Sequence, residues 1–579
     1  MRAYVCCLIV FTLLFPSLVC AANTEPMDES VTGGSQLTST SDVAGAARTP
    51  FDVERSSKMA STYVPLNSWI YPAFDRLIAL GYVRSGFVGI RPWTRLACLE
   101  MLEEAGSAIA ADPNTEETAR TIYESLVSEF DSRGGVLGAS PRDVRFDSVY
   151  TRATQISGDP LNDSFHFGQT IVNDYGRPYR SGFNNVTGFT ARAHAGRFSL
   201  YVNGEYQHAP SWSGYTSEIR ELIAGLDRTM VQPYATGATN QWRLLDTYAT
   251  VKLFGDEISF GKQSLWWGPS SGGPLLNSNN AEPMYMLRIS RPIPVTLPWV
   301  FRYLGKMRYE AFFGKMSGHR HPRRPFIHGQ KISLKPTNNL ELGFSRNVIF
   351  AGEGYRPLTF STFYKSFFSL GDHLGSSMAQ FDPGDRKGGF DVSYRIPGLR
   401  KWLMLYADTY VDDDPSPLAA PPRAAISPGF YLSHFPNIEK LDFRAEAVYT
   451  DTPSGTSDGR FIYWNGNYRD GHTNKGNIIG NWIGRAGKGA QAWSTYWFRP
   501  DTSLQLAYRN AKISPKFLPG GGTQHDLSLS ARVRINRDFE VQSALQYENW
   551  LIPVLEPKRK SDVAFSLQLT YWPKLSHGH

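Results

Sequence analysis

From about residue 141 onward, apolar and polar side chains alternate one for one, over stretches long enough to cross a bilayer as tilted strands. Val563, Phe565, Leu567, Leu569 and Tyr571 alternate with Asp562, Ala564, Ser566, Gln568 and Thr570. Leu527, Leu529, Ala531 and Val533 alternate with Ser528, Ser530, Arg532 and Arg534, and Leu441, Phe443 and Ala445 with Asp442, Arg444 and Glu446. One face is greasy and the other carries full charges. A soluble sandwich also alternates, but over shorter strands and with a less charged second face. A membrane barrel, lipid outside and polar lumen inside, satisfies the pattern.

The connections strengthen this reading. Short turns fall at Gly196-Arg197, Gly255-Asp256, Pro336–Asn339, Pro397–Lys401, Pro500–Thr502 and Asn536–Asp538. Between them lie long segments near 210–241, 268–283, 318–325, 351–386, 412–440, 465–488, 512–523 and 550–560. Short periplasmic turns and long surface loops are the rhythm of an outer-membrane barrel. Counting back from a last strand that ends near Trp572 predicts an 18-stranded antiparallel transmembrane β-barrel with its first strand near 162–172. The stretch 143–157 is then a lead-in, or part of a 20-strand alternative. Composition agrees: aromatics make up 13% and charged residues only 20%, which excludes coiled coils and wholesale disorder.

Ahead of the barrel the period is helical. Asn67 or Ser68 can cap a helix bearing Phe74, Leu77 and Ile78, stopped at Gly81. Thr94 can cap a second with Leu96, Leu99 and Leu102, and Thr115 can start a third that ends at Gly134-Gly135. The apolar run Tyr4–Val19 after Arg2 predicts a secretory signal peptide and Sec-dependent export. Cys6, Cys7 and Cys20 leave with it, so only Cys98 remains and no internal disulfide forms. The expected organisation is a signal peptide over 1–21, a flexible linker over 22–60, a small helical bundle over 61–140, periplasmic or a plug, a barrel over 141–573 and a tail over 574–579.

The segments PLNDSFHFGQTIVNDYGRPY (160–179), GKQSLWWGPSSGGPLLNSNNAEPMYMLRISRP (261–292), KLDFRAEAVYTD (440–451) and GNIIGNWIGRAGKGA (476–490) resemble the capsule assembly Wzi family of outer-membrane proteins. The resemblance runs from Tyr63 to Trp572 and implies an 18-stranded barrel, a small helical bundle at its periplasmic end and a lectin-like, non-enzymatic role in holding capsular polysaccharide at the cell surface. It supplies a role without a set of binding residues. A weaker likeness over 63–105, carried by Trp69, Phe74, Leu77, Gly81, Pro92, Thr94 and Arg95, is to the S-layer homology pattern, which binds cell-wall polymers. A helical hairpin packed on the barrel end accounts for the same residues.

Candidate chemistry is sparse. Gly455-Thr456-Ser457-Asp458-Gly459 matches G-x-S-x-G, but it lies in a connection between strands and lacks the strand–turn–helix a nucleophile elbow needs. His319, His321 and His328 stand among arginines with no acidic neighbour, which argues against a metal. No cofactor and no nucleic-acid partner is expected. Basic residues gather in or beside long connections: Arg177 and Arg180; Arg320, Arg323 and Arg324; Arg386 and Lys387; Lys558–Lys560. Guanidinium groups grip carboxylates and phosphates in pairs, so these loops fit an acidic surface polysaccharide, or lipopolysaccharide phosphates.

Rings and amides together make the usual sugar-binding kit. Trp266, Trp267, Asn277, Asn279 and Asn280 are expected at one surface loop, and Tyr463, Trp464, Asn465, Asn467 and Tyr468 at another. An interfacial aromatic girdle explains the tryptophans better than sugar binding does, and the asparagines fit either reading. Helix-like stretches at Ser217–Leu226 and Phe360–Leu370 predict loops folded inward over a blocked lumen. The alternative readings are a porin-type channel or an exopolysaccharide export component, with peptidoglycan or export machinery meeting the N-terminal helices.

Overall fold

The computed structural model describes residues 59–134, 142–368, 384–399, 402–414, 416–435, 437–452, 458–573 and 576–577. The signal peptide, nearly all of the expected linker and Gly455–Ser457 of the G-x-S-x-G stretch lie outside them. Eighteen strands close one antiparallel barrel. They are β1 Arg142–Ser157, β2 Gly182–Ala195, β3 Phe198–Ala209, β4 Thr239–Leu244 continued as Thr247–Leu253, β5 Asp256–Lys262 and β6 Tyr285–Ser290. Then come β7 Lys306–Lys315, β8 Phe326–Thr337, β9 Leu340–Phe350, β10 Asp385–Arg395, β11 Leu403–Asp412 and β12 Ala425–Leu432. The ring ends with β13 Leu441–Tyr449, β14 Gly487–Arg499, β15 Thr502–Ile513, β16 Gly522–Arg534, β17 Phe539–Leu551 and β18 Lys560–Tyr571. Closure pairs β1 with β18, Val149 opposite Tyr571 and Ser157 opposite Val563.

The alternation sets which way each side chain points. On β18, Val563, Phe565, Leu567 and Leu569 are exposed to the lipid side, while Asp562, Ala564 and Thr570 are buried inside. Two expectations about the wall are corrected. The stretch 143–157 is the first strand itself, and 162–172 is not in the wall. The chain leaves the barrel at Gly158, whose φ is 105° and where a Cβ would stand 2.7 Å from the Ser561 carbonyl. Beyond it Leu161, Phe165 and Phe167 are all buried, so this segment packs inward instead of alternating toward lipid. The long connection expected over 412–440 likewise contains β12, whose Pro428 and Gly429 blur its period.

Three helices precede the wall: α1 Ile70–Leu80, α2 Arg95–Ala111 and α3 Glu117–Gly134. Gly81 ends α1 at φ 91°, and Thr94 caps α2 by accepting the Ala97 N–H at 3.1 Å. Trp69, not Asn67 or Ser68, is the N-cap of α1, although Ser68 Oγ accepts the Ile70 N–H at 3.3 Å. Thr115 closes the α2–α3 turn on the Ile109 carbonyl at 3.1 Å. Cys98 is fully buried, and burial pushes its thiol up to about 12, so it is inert.

The helices and their flanking segments fill the turn side of the lumen. Tyr63 Oη meets Ser290 Oγ at 2.9 Å, Arg395 donates to the Ile78 carbonyl at 2.6 Å, and Glu341 accepts the Val88 and Gly89 N–H groups at 3.0 and 2.9 Å. From the other side the segment after β5 descends to meet them. Ile90 and Arg91 pair with Trp267 and Trp266 in a two-rung ladder. Lumen carboxylates cap the backbone of this descending segment: Asp408 accepts Leu275 N–H at 2.6 Å, and Glu446 accepts Ser271 and Gly272 at 2.6 and 2.9 Å. Side chains from the segments after β1, β5 and β13 (Phe165, Trp267, Leu275, Tyr463, Trp482) form a hydrophobic core above. The charged lumen face therefore grips a plug rather than a water column.

Candidate functional site

At the loop rim, the connections after β1, β3, β7 and β13 surround a groove of about 480 Å³. Its main wall is α4 Ser217–Asp227, the helix expected from the sequence. Thr216 caps it, and Arg228 ends it in a left-handed turn at φ 55°. Ile219, Ile223 and Leu226 anchor its inner face on Leu161, Phe167, Phe517 and Trp550. A second loop helix, α5 Phe360–Phe368, matches the described part of the other expected stretch.

Aromatic rings line one side of the groove. Trp212 meets Tyr215 edge-on at 5.1 Å, and Tyr215 meets Tyr234 at 4.9 Å. The Arg180 guanidinium lies 4.3 Å over the Trp212 ring, and burial pulls its pKa below the usual arginine range. Arg320 stands exposed on the opposite lip, its backbone N–H held by Asp470 at 2.9 Å and its guanidinium donating to Gln232. Arg220 lines the groove with its Nε unpartnered among the described residues.

The acids of the groove are already engaged. His166 bridges Asp163 at 2.8 Å and Asp227 at 2.9 Å, and Asp227 also takes Arg485 at 2.5 Å. Burial opposes a charge on His166, but the two carboxylates overcome it and raise its pKa to about 9. With Asp227 and Asp163 satisfied and Asp470 capping backbone amides, the groove presents cations and rings to solvent.

Of the expected binding residues, Arg320 lies in this groove. Arg323 and Arg324 remain exposed but share Glu353, at 3.9 and 3.0 Å, which offsets much of their charge. Arg177 is buried against Glu205 and Asp174, and Lys387 sits inside the barrel between Asp385 at 2.5 Å and Asp412 at 3.0 Å. Trp266, Trp267, Asn277, Asn279 and Asn280 are not at a surface loop. They lie within the lumen: Trp267 donates to Glu310 at 2.8 Å, Asn347 donates to Asn277 at 3.0 Å, and Asn280 accepts the Asn173 N–H at 3.0 Å. Their Gly- and Pro-rich segment turns inward because its apolar side chains bury there, a choice that alternation cannot reveal. Trp464 is also buried, with Arg228 5.7 Å over its ring, and Asn465 folds its own turn by accepting from Asn467 and Tyr468. His319 and His328 are buried apart from each other, on the Thr473 carbonyl and on Ser366. Trp69, Phe74 and Leu77 of the S-layer-like pattern are buried in the turn-side plug.

Sequence reasoning missed Trp212, Tyr215, Tyr234 and His166. The rings are spaced irregularly through 210–238, and only α4 gathers them.

Residues 151–564 match the family described as capsule assembly protein Wzi. The chain belongs to this family. It is 30% identical over 172 residues to an uncharacterised 55.8 kDa protein of the cps region of Klebsiella pneumoniae, an alignment that spans 29% of this chain and 33% of that relative. The structure of Escherichia coli Wzi, described as an outer membrane protein involved in group 1 capsule assembly and as a carbohydrate-binding β-barrel, superposes with a TM-score of 0.65 at 17% identity. That likeness covers 89% of this chain and 100% of the other, and it establishes a shared fold.

Proposed function

We propose that this protein sits in the outer membrane of a Gram-negative-type cell, exported through the Sec route, and holds an acidic capsular polysaccharide on its loop rim without acting on it chemically. The observation that carries the reading is the groove: Trp212, Tyr215 and Tyr234, packed edge to face, beside Arg180, Arg220 and Arg320, with the neighbouring acids engaged. Rings cover the apolar faces of pyranoses, and guanidinium groups pair with uronate or pyruvate carboxylates. Each exposed contact is worth no more than about 1 kcal/mol, and repetition along a polymer supplies avidity. Membership of a capsule-assembly family and the carbohydrate binding described for its Escherichia coli member support the same reading.

Other contacts follow from the two rims. Exposed Lys558 and Arg559 suit lipopolysaccharide phosphates, and the outer side of α2 and α3 is where export machinery or peptidoglycan would meet the plug. The test is a glycan array with the detergent-purified full chain, followed by titration of acidic polysaccharide in rising salt. Acidic glycans should lead the array, and affinity should fall with salt, since exposed charges are screened over ~8 Å at physiological ionic strength. A preference for neutral glycans, insensitive to salt, would overturn it.

A further inference from the structure

The plug fills the lumen unevenly. Against β5–β11 the inward charges are consumed in pairs such as Arg288–Glu310 at 2.5 Å and Lys387–Asp385 at 2.5 Å. Against β14–β18 the inward face mixes small neutral side chains, among them Thr495, Ser503, Ser530 and Ser566, with pairs such as Arg509–Asp526 at 2.6 Å, and beside the small ones the plug stands off. The space left is a chamber of about 550 Å³, inside the roughly 300–1,000 Å³ range of small-molecule sites.

Its chemistry is that of a receptor for hydroxyl donors. Gln505, Gln542 and Gln568 tether their amide nitrogens to Thr495 at 3.0 Å, Glu540 at 2.6 Å and Thr570 at 3.1 Å. Their amide oxygens accept nothing among the described residues. Across the chamber, Asn173 and Asn279 present buried side-chain oxygens that also have no partner there. A buried acceptor without a donor is costly, so these oxygens call for one. The rings of Trp266 and Trp493 add flat apolar surface.

The charges at its edge are matched. Asp75 takes both Arg91 at 2.6 Å and Arg444 at 3.5 Å, Arg152 pairs with Asp174 at 2.7 Å, Arg532 lies 3.8 Å from Glu540, and Asp442 accepts the Trp497 indole N–H at 2.7 Å. Each charged group on the lining therefore already has a partner, which weakens its pull on an anion or a metal cation. Acceptor-rich and ring-lined, with its charged groups engaged, the chamber matches a neutral sugar. We propose that it is a second binding site, separate from the loop-rim groove, for a short neutral saccharide. Entry is from the turn rim, because Asn67, Ser68, Gln542 and Gln568 also line a smaller cavity that extends to Arg534 and Trp572.

The test uses the full chain in detergent, titrated calorimetrically with glucose, galactose, maltose and lactose. At least one should bind saturably. Filling the chamber with Ser530→Phe and Ser566→Phe should weaken that binding at least tenfold, whereas Arg180→Ala with Arg320→Ala in the groove should leave it unchanged. Gln568→Ala, which creates space rather than filling it, is the second variant and should weaken binding about threefold or more. Acidic-polysaccharide binding at the groove should survive the chamber variants, so the two sites fail independently. No saturable binding by any of the four sugars would overturn the proposal. Binding that survives both Ser530→Phe/Ser566→Phe and Gln568→Ala would do the same.

Discussion

Arg320 and Arg323 are three residues apart, yet they have different neighbours. Arg320 reaches the groove, while Arg323 and Arg324 turn to Glu353. Removing the guanidinium groups of Arg180 and Arg320 should therefore weaken acidic-polysaccharide binding about tenfold or more on a polymer. Arg323→Ala with Arg324→Ala should cost threefold or less, measured by surface binding at fixed salt. Spacing alone could not separate these arginines, because the acid that engages two of them comes from the segment after β9. His166 supplies a pH dependence. Its pKa rises on folding from 6.5 to about 9, so the stabilisation from its proton is complete below pH 6.5 and is lost as pH climbs through 9. Protection factors in 158–181 and 217–227, which divide out the base catalysis of exchange itself, should fall across that window, and His166→Gln should abolish the fall.

At the scale of elements, lumen carboxylates hold the plug by its backbone. Glu446 accepts Ser271 N–H, Gly272 N–H and the Tyr406 hydroxyl at 2.6–2.9 Å. Glu446→Ala should loosen 263–284 by on the order of 3 kcal/mol, since bonds to a charged acceptor are strong and the amides left behind are buried. Hydrogen exchange should show this confined to the plug, with β12–β14 still protected. The strands and most turns were legible in the sequence because a period of two has one meaning for a wall with lipid on one side. The plug was not. Segments such as 263–284 carry Gly, Pro and Ser without any period, and their direction is set by acceptors waiting on distant strands.

For the whole molecule, the plug segments meet at the Ile90–Trp267 and Arg91–Trp266 rungs, beside a chamber that opens toward the turn rim. The full chain in planar bilayers should show no steady conductance. A porin-sized current would mean that the plug leaves in solution, and the groove, which its loops help to build, would be lost with it. The described residues from 59 onward form one compact unit, so unfolding in detergent should be a single transition for helices and barrel, followed by helix-sensitive and tryptophan signals together.

The amino-acid sequence by itself determined the barrel, a strand count of 18 or 20, the helical character of the N-terminal region and two of the loop helices. Each of these rests on local periodicity, which a chain carries wherever it goes. Tertiary structure decided which strand came first, that the helices and the Trp266–Asn280 segment fill the lumen, and which arginines stay unpaired. It also brought Trp212, Tyr215 and Tyr234 beside Arg180 and Arg320. Those outcomes depend on pairs such as Glu446 with Ser271, or Glu341 with Gly89, that lie more than a hundred residues apart. Closure of the ring on β1 and β18 is what makes them neighbours.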